Sequence, residues 1–175
     1  RRVSPATATQ NDEQVSSPRM HPDITRARLL AEHEFLAVLL FDPIESSAVL
    51  RESDQKVRSS DFIDPTSAVI AEKILPMLEA GTPYSMQELL FELDEPSKAI
   101  ASTLYFNGQR ISETSGSVML ALQETMGAFI RTLEDKAIAD EVLQLKEVED
   151  PKERAEAAQR ALETIRRQKM TRSVS

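Results

Sequence analysis

The side chains with which this chain of 175 residues could do chemistry are two histidines and twenty-nine carboxylates, with no cysteine at all. The missing thiols exclude disulfides, thiolate metal sites and a cysteine nucleophile, and they fit a reducing cytosol. His21 lies in a polar opening stretch, and His33 stands between Glu32 and Glu34. Adjacent residues of a helix point in different directions, so Glu32, His33 and Glu34 do not converge on one metal ion. His33 therefore reads as a surface or boundary residue. Asp42, Asp64 and Asp150 each precede proline, which marks them as helix N-caps, and Glu45, Glu88 and Glu153 follow as acids that complete capping boxes. Glu134-Asp135 and Asp140-Glu141 have the density of a carboxylate metal site, but the Glu-x-x-His element of di-metal bundles is missing. A solvated charged face is the expectation there. The chain has no Ser-His-Asp arrangement, glycine-rich phosphate loop or histidine pair at i, i+4. Neither catalysis nor a bound cofactor is expected of this stretch.

The elements that position these groups are helices. Four glycines are too few for a fold of tight hairpins, whereas Ala, Leu, Glu, Gln, Arg and Lys dominate and are strong helix formers. The fold class predicted is all-α, a compact multi-helix bundle followed by a C-terminal helical hairpin. The hydrophobic content of 41% supports a core. A net charge of −8 and a pI near 4.9 lack the footprint of a nucleic-acid binder, whose affinity depends on neutralising phosphates. The longest apolar run, Phe35 to Phe41, is far short of the roughly 20 residues that span a bilayer.

Along the chain, residues 1–22 are Ser, Thr, Pro, Gln and Asn with almost no large apolar side chain, and read as a disordered polar linker. From the opening Arg-Arg without Met, the chain is expected to be a piece of a longer protein. A bundle is predicted over 23–116. Its first helix, from Ile24 to Phe41, becomes apolar all round in its second half and should be the central core helix. A short helix follows Asp42-Pro43, and Phe62 is an anchor dropped into the core. A third helix opens at Asp64-Pro65 and runs to about Glu79, with a kink expected at Pro76 because the periodicity continues through Met77 and Leu78, and Gly81-Thr82-Pro83 ends it. Ser85 to Glu88 caps a short fourth helix. A fifth starts at Glu95-Pro96 with Ile100, Leu104 and Tyr105 inward, and ends at Asn107-Gly108, leaving a polar loop from Gln109 to Gly116.

Residues 117–170 are expected to form a long helix and a hairpin, with 171–175 a disordered tail. The long helix carries a stripe of Met119, Leu122, Met126, Phe129, Ile130 and Leu133 suited to burial. Asp150-Pro151 ends it and starts a second helix whose apolar residues are small or sparse: Ala155, Ala158, Leu162 and Ile165. Such a helix leans on its neighbour and offers a surface to a partner. Ala155, Ala158, Leu162, Ile165, Arg166 and Lys169 are the candidate partner-binding residues. The cations Arg166, Arg167, Lys169 and Arg172 suit a helix C-terminus; an acidic partner or DNA is the other use for them.

From Ala27 to Pro96 the succession of motifs is moderately specific. Arg28-Leu29-Leu30 and Phe35-Leu36-Ala37-Val38-Leu39-Leu40 lead to Asp42-Pro43, then Asp61-Phe62-Ile63-Asp64-Pro65 and Leu78-Glu79-Ala80-Gly81-Thr82-Pro83. Glu88-Leu89-Leu90-Phe91-Glu92-Leu93-Asp94-Glu95-Pro96 completes the series. In this order they resemble the C-terminal, helicase-binding domain of bacterial DnaG-type DNA primases. The chain departs from many such domains in its polar loop Glu52–Ser60 and in Pro76. The resemblance implies a six-helix subdomain joined through a long helix to a hairpin that docks on the hexameric replicative helicase. It implies a bacterial cytoplasmic parent that makes RNA primers with an upstream zinc-binding domain and a magnesium-dependent polymerase domain, neither of them in this stretch. The N-terminal domain of the replicative helicase itself is the nearest alternative, and a helical carboxylate metal-binding bundle a more distant one.

Overall fold

A computed structural model describes residues 22–147 and 151–172, and the expected linker up to His21 and the last three residues of the tail lie outside them. Among the described residues there are seven α-helices and no strand: α1 (Pro22–Phe41), α2 (Pro43–Glu52), α3 (Pro65–Ala80), α4 (Met86–Glu92), α5 (Glu95–Ser115), α6 (Val118–Glu147) and α7 (Pro151–Arg172). One 3-10 turn, Ser59–Asp61, interrupts the link from α2 to α3. The fold is all-α.

Helix α1 is the centre because its second half is apolar on every side. Phe35 to Leu40 are all buried, and α1 packs against both α5 and α6. Phe35 stacks on Phe129 of α6 with ring centroids 5.3 Å apart, and Phe62 drops in beside Phe129 at 4.9 Å. Ile70, Ile74 and Leu78 of α3 and Leu122 of α6 complete the core. Tyr84 reaches inward from the link between α3 and α4, donating its hydroxyl to the Leu39 carbonyl at 3.3 Å.

The caps explain where helices begin. The Asp42 carboxylate accepts the N–H groups of Ile44 and Glu45, Asp64 accepts that of Ser67, and Asp94 that of Ser97. Ser85 and Glu88 form the reciprocal capping box of α4. Asp42 caps α2 alone: the reciprocal bond expected of Glu45 is not formed. The Asp150 cap and the Glu153 side chain lie outside the described residues.

Two expectations are corrected. Asn107-Gly108 does not end α5, and no polar loop spans 109–116; the helix continues to Ser115 and stops at Gly116, whose φ of 88° suits a residue without Cβ. As the continuing periodicity through Met77 and Leu78 implies, α3 runs through Pro76, on the exposed side of the helix, to Ala80. Met119 and Ile100 are exposed rather than inward, because Ala121 and Leu122 face the core on α6 and Ala101 and Leu104 on α5.

The caps also tie stability to pH. Burial works against ionisation of Asp64, yet hydrogen bonds from Ser67 and Thr66 and the nearby His33 imidazole hold its carboxyl below the usual range. Ser97 does the same for Asp94, and the Ser85 N–H and hydroxyl for Glu88. A carboxyl with a depressed folded-state pKa leaves the native state with fewer bound protons than the unfolded state in acid. Its stabilisation is complete above the ordinary carboxylate value and lost as pH falls through the depressed one. The melting temperature should therefore hold down to about pH 5 and decline below about pH 4. The Asp64→Asn/Asp94→Asn variant should show a lower plateau and a shallower decline in thermal melts across that range.

Candidate partner-binding hairpin

Helix α6 serves two structures in turn. Its 30 residues span about 45 Å. The first half closes the bundle through Ala121, Leu122 and Phe129, with Met126 and Leu133 packed partly against the core; beyond Leu133 it contributes no residue to that core. The second half instead carries α7, which returns along it. The stretch Glu134 to Ala139 is continuous helix.

Among the described side chains of α7, the buried and half-buried ones are alanines. Ala161 is buried and Ala157 and Ala158 are half-buried. A shallow cleft of about 220 Å³ lies between the helices, lined by Glu141, Gln144, Leu145, Ala157 and Arg160. Alanines at this spacing let two helices approach closely while burying little apolar area, so the pair is held more weakly than the bundle.

Of the six residues predicted to meet a partner, Ala155, Leu162 and Arg166 are exposed, and Ala158 is half-buried at the edge of the α6 contact. Leu162 keeps 55% of its surface open. The spacing of three and four residues places Ala155, Ala158 and Leu162 along one stripe of α7. The side chains of Ile165 and Lys169 lie outside the described residues.

The sequence reasoning missed that α6 contributes apolar surface to the same hairpin, through the partly open Val142 and Leu143. The signal was present: these two residues extend the apolar content of α6 past the last position that the bundle covers. Two exposed aromatic residues elsewhere were also missed, Phe91 at 90% and Phe106 at 68% exposure.

Among the described residues no group of three or more His, Asp or Glu side chains is placed to hold a metal ion, and no helix is long and apolar enough to cross a membrane. What the arrangement offers chemically is an exposed leucine on a narrow helix flanked by alanines and charges, a shape suited to a groove on another protein. No protein-family model, no curated protein and no solved structure matches the chain, so the candidate site stands on its geometry and on the sequence motifs.

Proposed function

We propose that this chain is a non-catalytic docking module, the helicase-binding domain of a bacterial cytoplasmic DNA primase, which seats the primase on the hexameric replicative helicase and couples RNA primer synthesis to unwinding. The observation that carries the reading is the hairpin. Helix α7 leans on α6 through alanines and leaves Leu162 open, at the place in the chain where the primase resemblance puts the docking element. The order of motifs from Ala27 to Pro96 supports the same reading. Zinc and magnesium belong to the upstream domains that the resemblance implies.

Pull-down with the cognate helicase tests it. The full chain should bind, and a version ending at Glu149 should not; undiminished binding by the shorter chain would remove the hairpin as the docking element. Leu162→Asp should weaken binding roughly tenfold or more, as expected for an anchor residue. Because Leu162 is outside the core, its replacement should change bundle stability by no more than about 0.5 kcal/mol. A large drop in the melting temperature of L162D would mean that the residue holds the hairpin together instead.

A further inference from the structure

The two sides of the α6–α7 hairpin differ in kind. Successive residues of a helix turn by about 100°, so Arg160 and Leu162 leave α7 on opposite sides of the buried Ala161. The cleft lined by Glu141, Gln144, Ala157 and Arg160 marks the first side. Helical register then places Ala139 and Val142 of α6 together with Ala155, Ala158 and Leu162 of α7 on the second. Val142 and Leu162 are the open apolar side chains there, whereas among the described residues the cleft side has no exposed large apolar one. Charge divides the same way. By register, the positions on the Leu162 side hold Arg131, Lys146, Arg166 and Lys169 against one acid, Asp135. Those on the cleft side hold Asp140, Glu141, Glu147, Glu153, Glu156 and Glu163 against Arg160 and Arg167. Glu134, Arg154 and Arg172 fall on the seam, and Lys136 and Lys152 on the outer backs of the helices. In a chain whose net charge is −8, the apolar side of the hairpin is the cationic one.

We propose that the Leu162 side takes from the helicase a single amphipathic helix, apolar along one stripe and acidic along its flanks, laid on the α6–α7 seam as the third helix of a small bundle. This names the partner element for the docking function proposed for the hairpin and rests on that function. Alanines at 139, 155 and 158 let a third backbone approach closely. Val142 and Leu162 supply the side chains that the partner's stripe covers. The cations at the rim select a helix edged with carboxylates and reject a basic one. A second copy of this chain does not meet these terms. Two such faces brought together about a two-fold axis set cation against cation, and the anionic side of another copy has no large apolar residue to offer. Because the selecting charges are at the surface, the contact weakens with salt.

Two titrations of the full chain test it. In the first, the chain with 13C-enriched methyl groups meets a helical peptide that has leucine at i, i+3, i+4 and i+7 and glutamate on the flanks, then the same peptide with lysine in place of glutamate. The glutamate peptide should shift the NMR signals of the Ala139, Val142, Ala155, Ala158 and Leu162 methyls and spare those of Ala137 and Ala157; the lysine peptide should shift neither set. In the second, the cognate helicase is titrated and binding is read by calorimetry. Arg166→Glu and Val142→Asp should each weaken binding about tenfold, and Arg166→Glu should flatten its decline with salt. Glu156→Arg and Glu163→Arg should stay within about twofold of the parent. Shifts at Ala137 and Ala157 instead, an equal response to the two peptides, or no response to either overturns the proposal. So does a larger loss of helicase binding in the two glutamate variants than in Arg166→Glu. Methyl shifts that grow with chain concentration without peptide assign the face to a second copy and also overturn it. If the glutamate peptide shifts the expected methyls but the helicase does not bind, the face keeps its acidic-helix chemistry and the helicase-docking function falls.

Discussion

Glu32→Ala should cost the fold about 3–5 kcal/mol, the range for removing one partner of a buried ion pair. Glu32 is 0% exposed and Arg28, one turn earlier on α1, is 2% exposed. The Arg28 Nε donates to the Glu32 carboxylate at 3.2 Å, and its Nη2 donates to the Asp61 carbonyl. The same carboxylate accepts the N–H of Ile63 at 2.7 Å and that of Asp64 at 3.2 Å. One acid thus neutralises a buried guanidinium and satisfies two backbone donors just before α3, fixing the link that carries Phe62 into the core. Without it, the guanidinium stays buried without its counter-charge and the two N–H groups lose their acceptor, each a penalty of its own. Arg28→Met/Glu32→Gln removes the buried charge while keeping an oxygen for the backbone donors, so it should recover much of the loss. Urea unfolding followed by helical circular dichroism measures both variants. A Glu32→Ala chain within about 1 kcal/mol of the parent would show that water reaches the pair and that the clasp holds little.

Glu32 also shows how far the sequence could be read. Caps were legible because their chemistry is local: Asp64-Pro65 and Ser85 to Glu88 announce helix starts within four residues, and the structure has them there. The core half of α1 was legible because a run that is apolar on every face has to be covered on every face. The backbone donors that Glu32 satisfies lie 31 and 32 residues away, and the Arg28 spacing of four residues is one that solvated pairs share, so no local pattern distinguishes a carboxylate that will be buried from its solvated neighbours. On α7 the open Leu162 was expected, whereas Ala161, the residue that packs on α6, was not. An alanine carries almost no burial signal, so the phase of a weakly apolar helix is set by its partner. Asn107-Gly108 failed for a related reason. The pair has the composition of a helix end, and only the position of α1 reveals why a glycine stands mid-helix.

That position makes Gly108→Ala and Gly127→Ala opposite in sign, although both replace a glycine inside a helix. A Cβ at Gly108 would overlap the carbonyl oxygen of Ala37 and stand 2.8 Å from the Cβ of Phe41. Both obstacles belong to the backbone or the first side-chain atom of the central helix, so neither can rotate away. The gain of about 1 kcal/mol from alanine's helix propensity is then outweighed by pushing α5 off α1, and overpacking of this kind costs about 1–3 kcal/mol. Gly108→Val should be worse, because its branches extend the same clash and its own propensity is lower. At Gly127 the nearest obstacle is 3.4 Å away and is the tip of the Arg131 side chain, which can swing into solvent. Gly127→Ala should therefore stabilise the chain by about 0.5–1 kcal/mol through the unfolded state's lost freedom and better propensity. Thermal melts of the two variants side by side give the test. If both alanines stabilise, α5 does not approach α1 as closely as Gly108 requires; if both destabilise, glycine is favoured at Gly127 for a reason other than space, since the helix has room for the methyl group there.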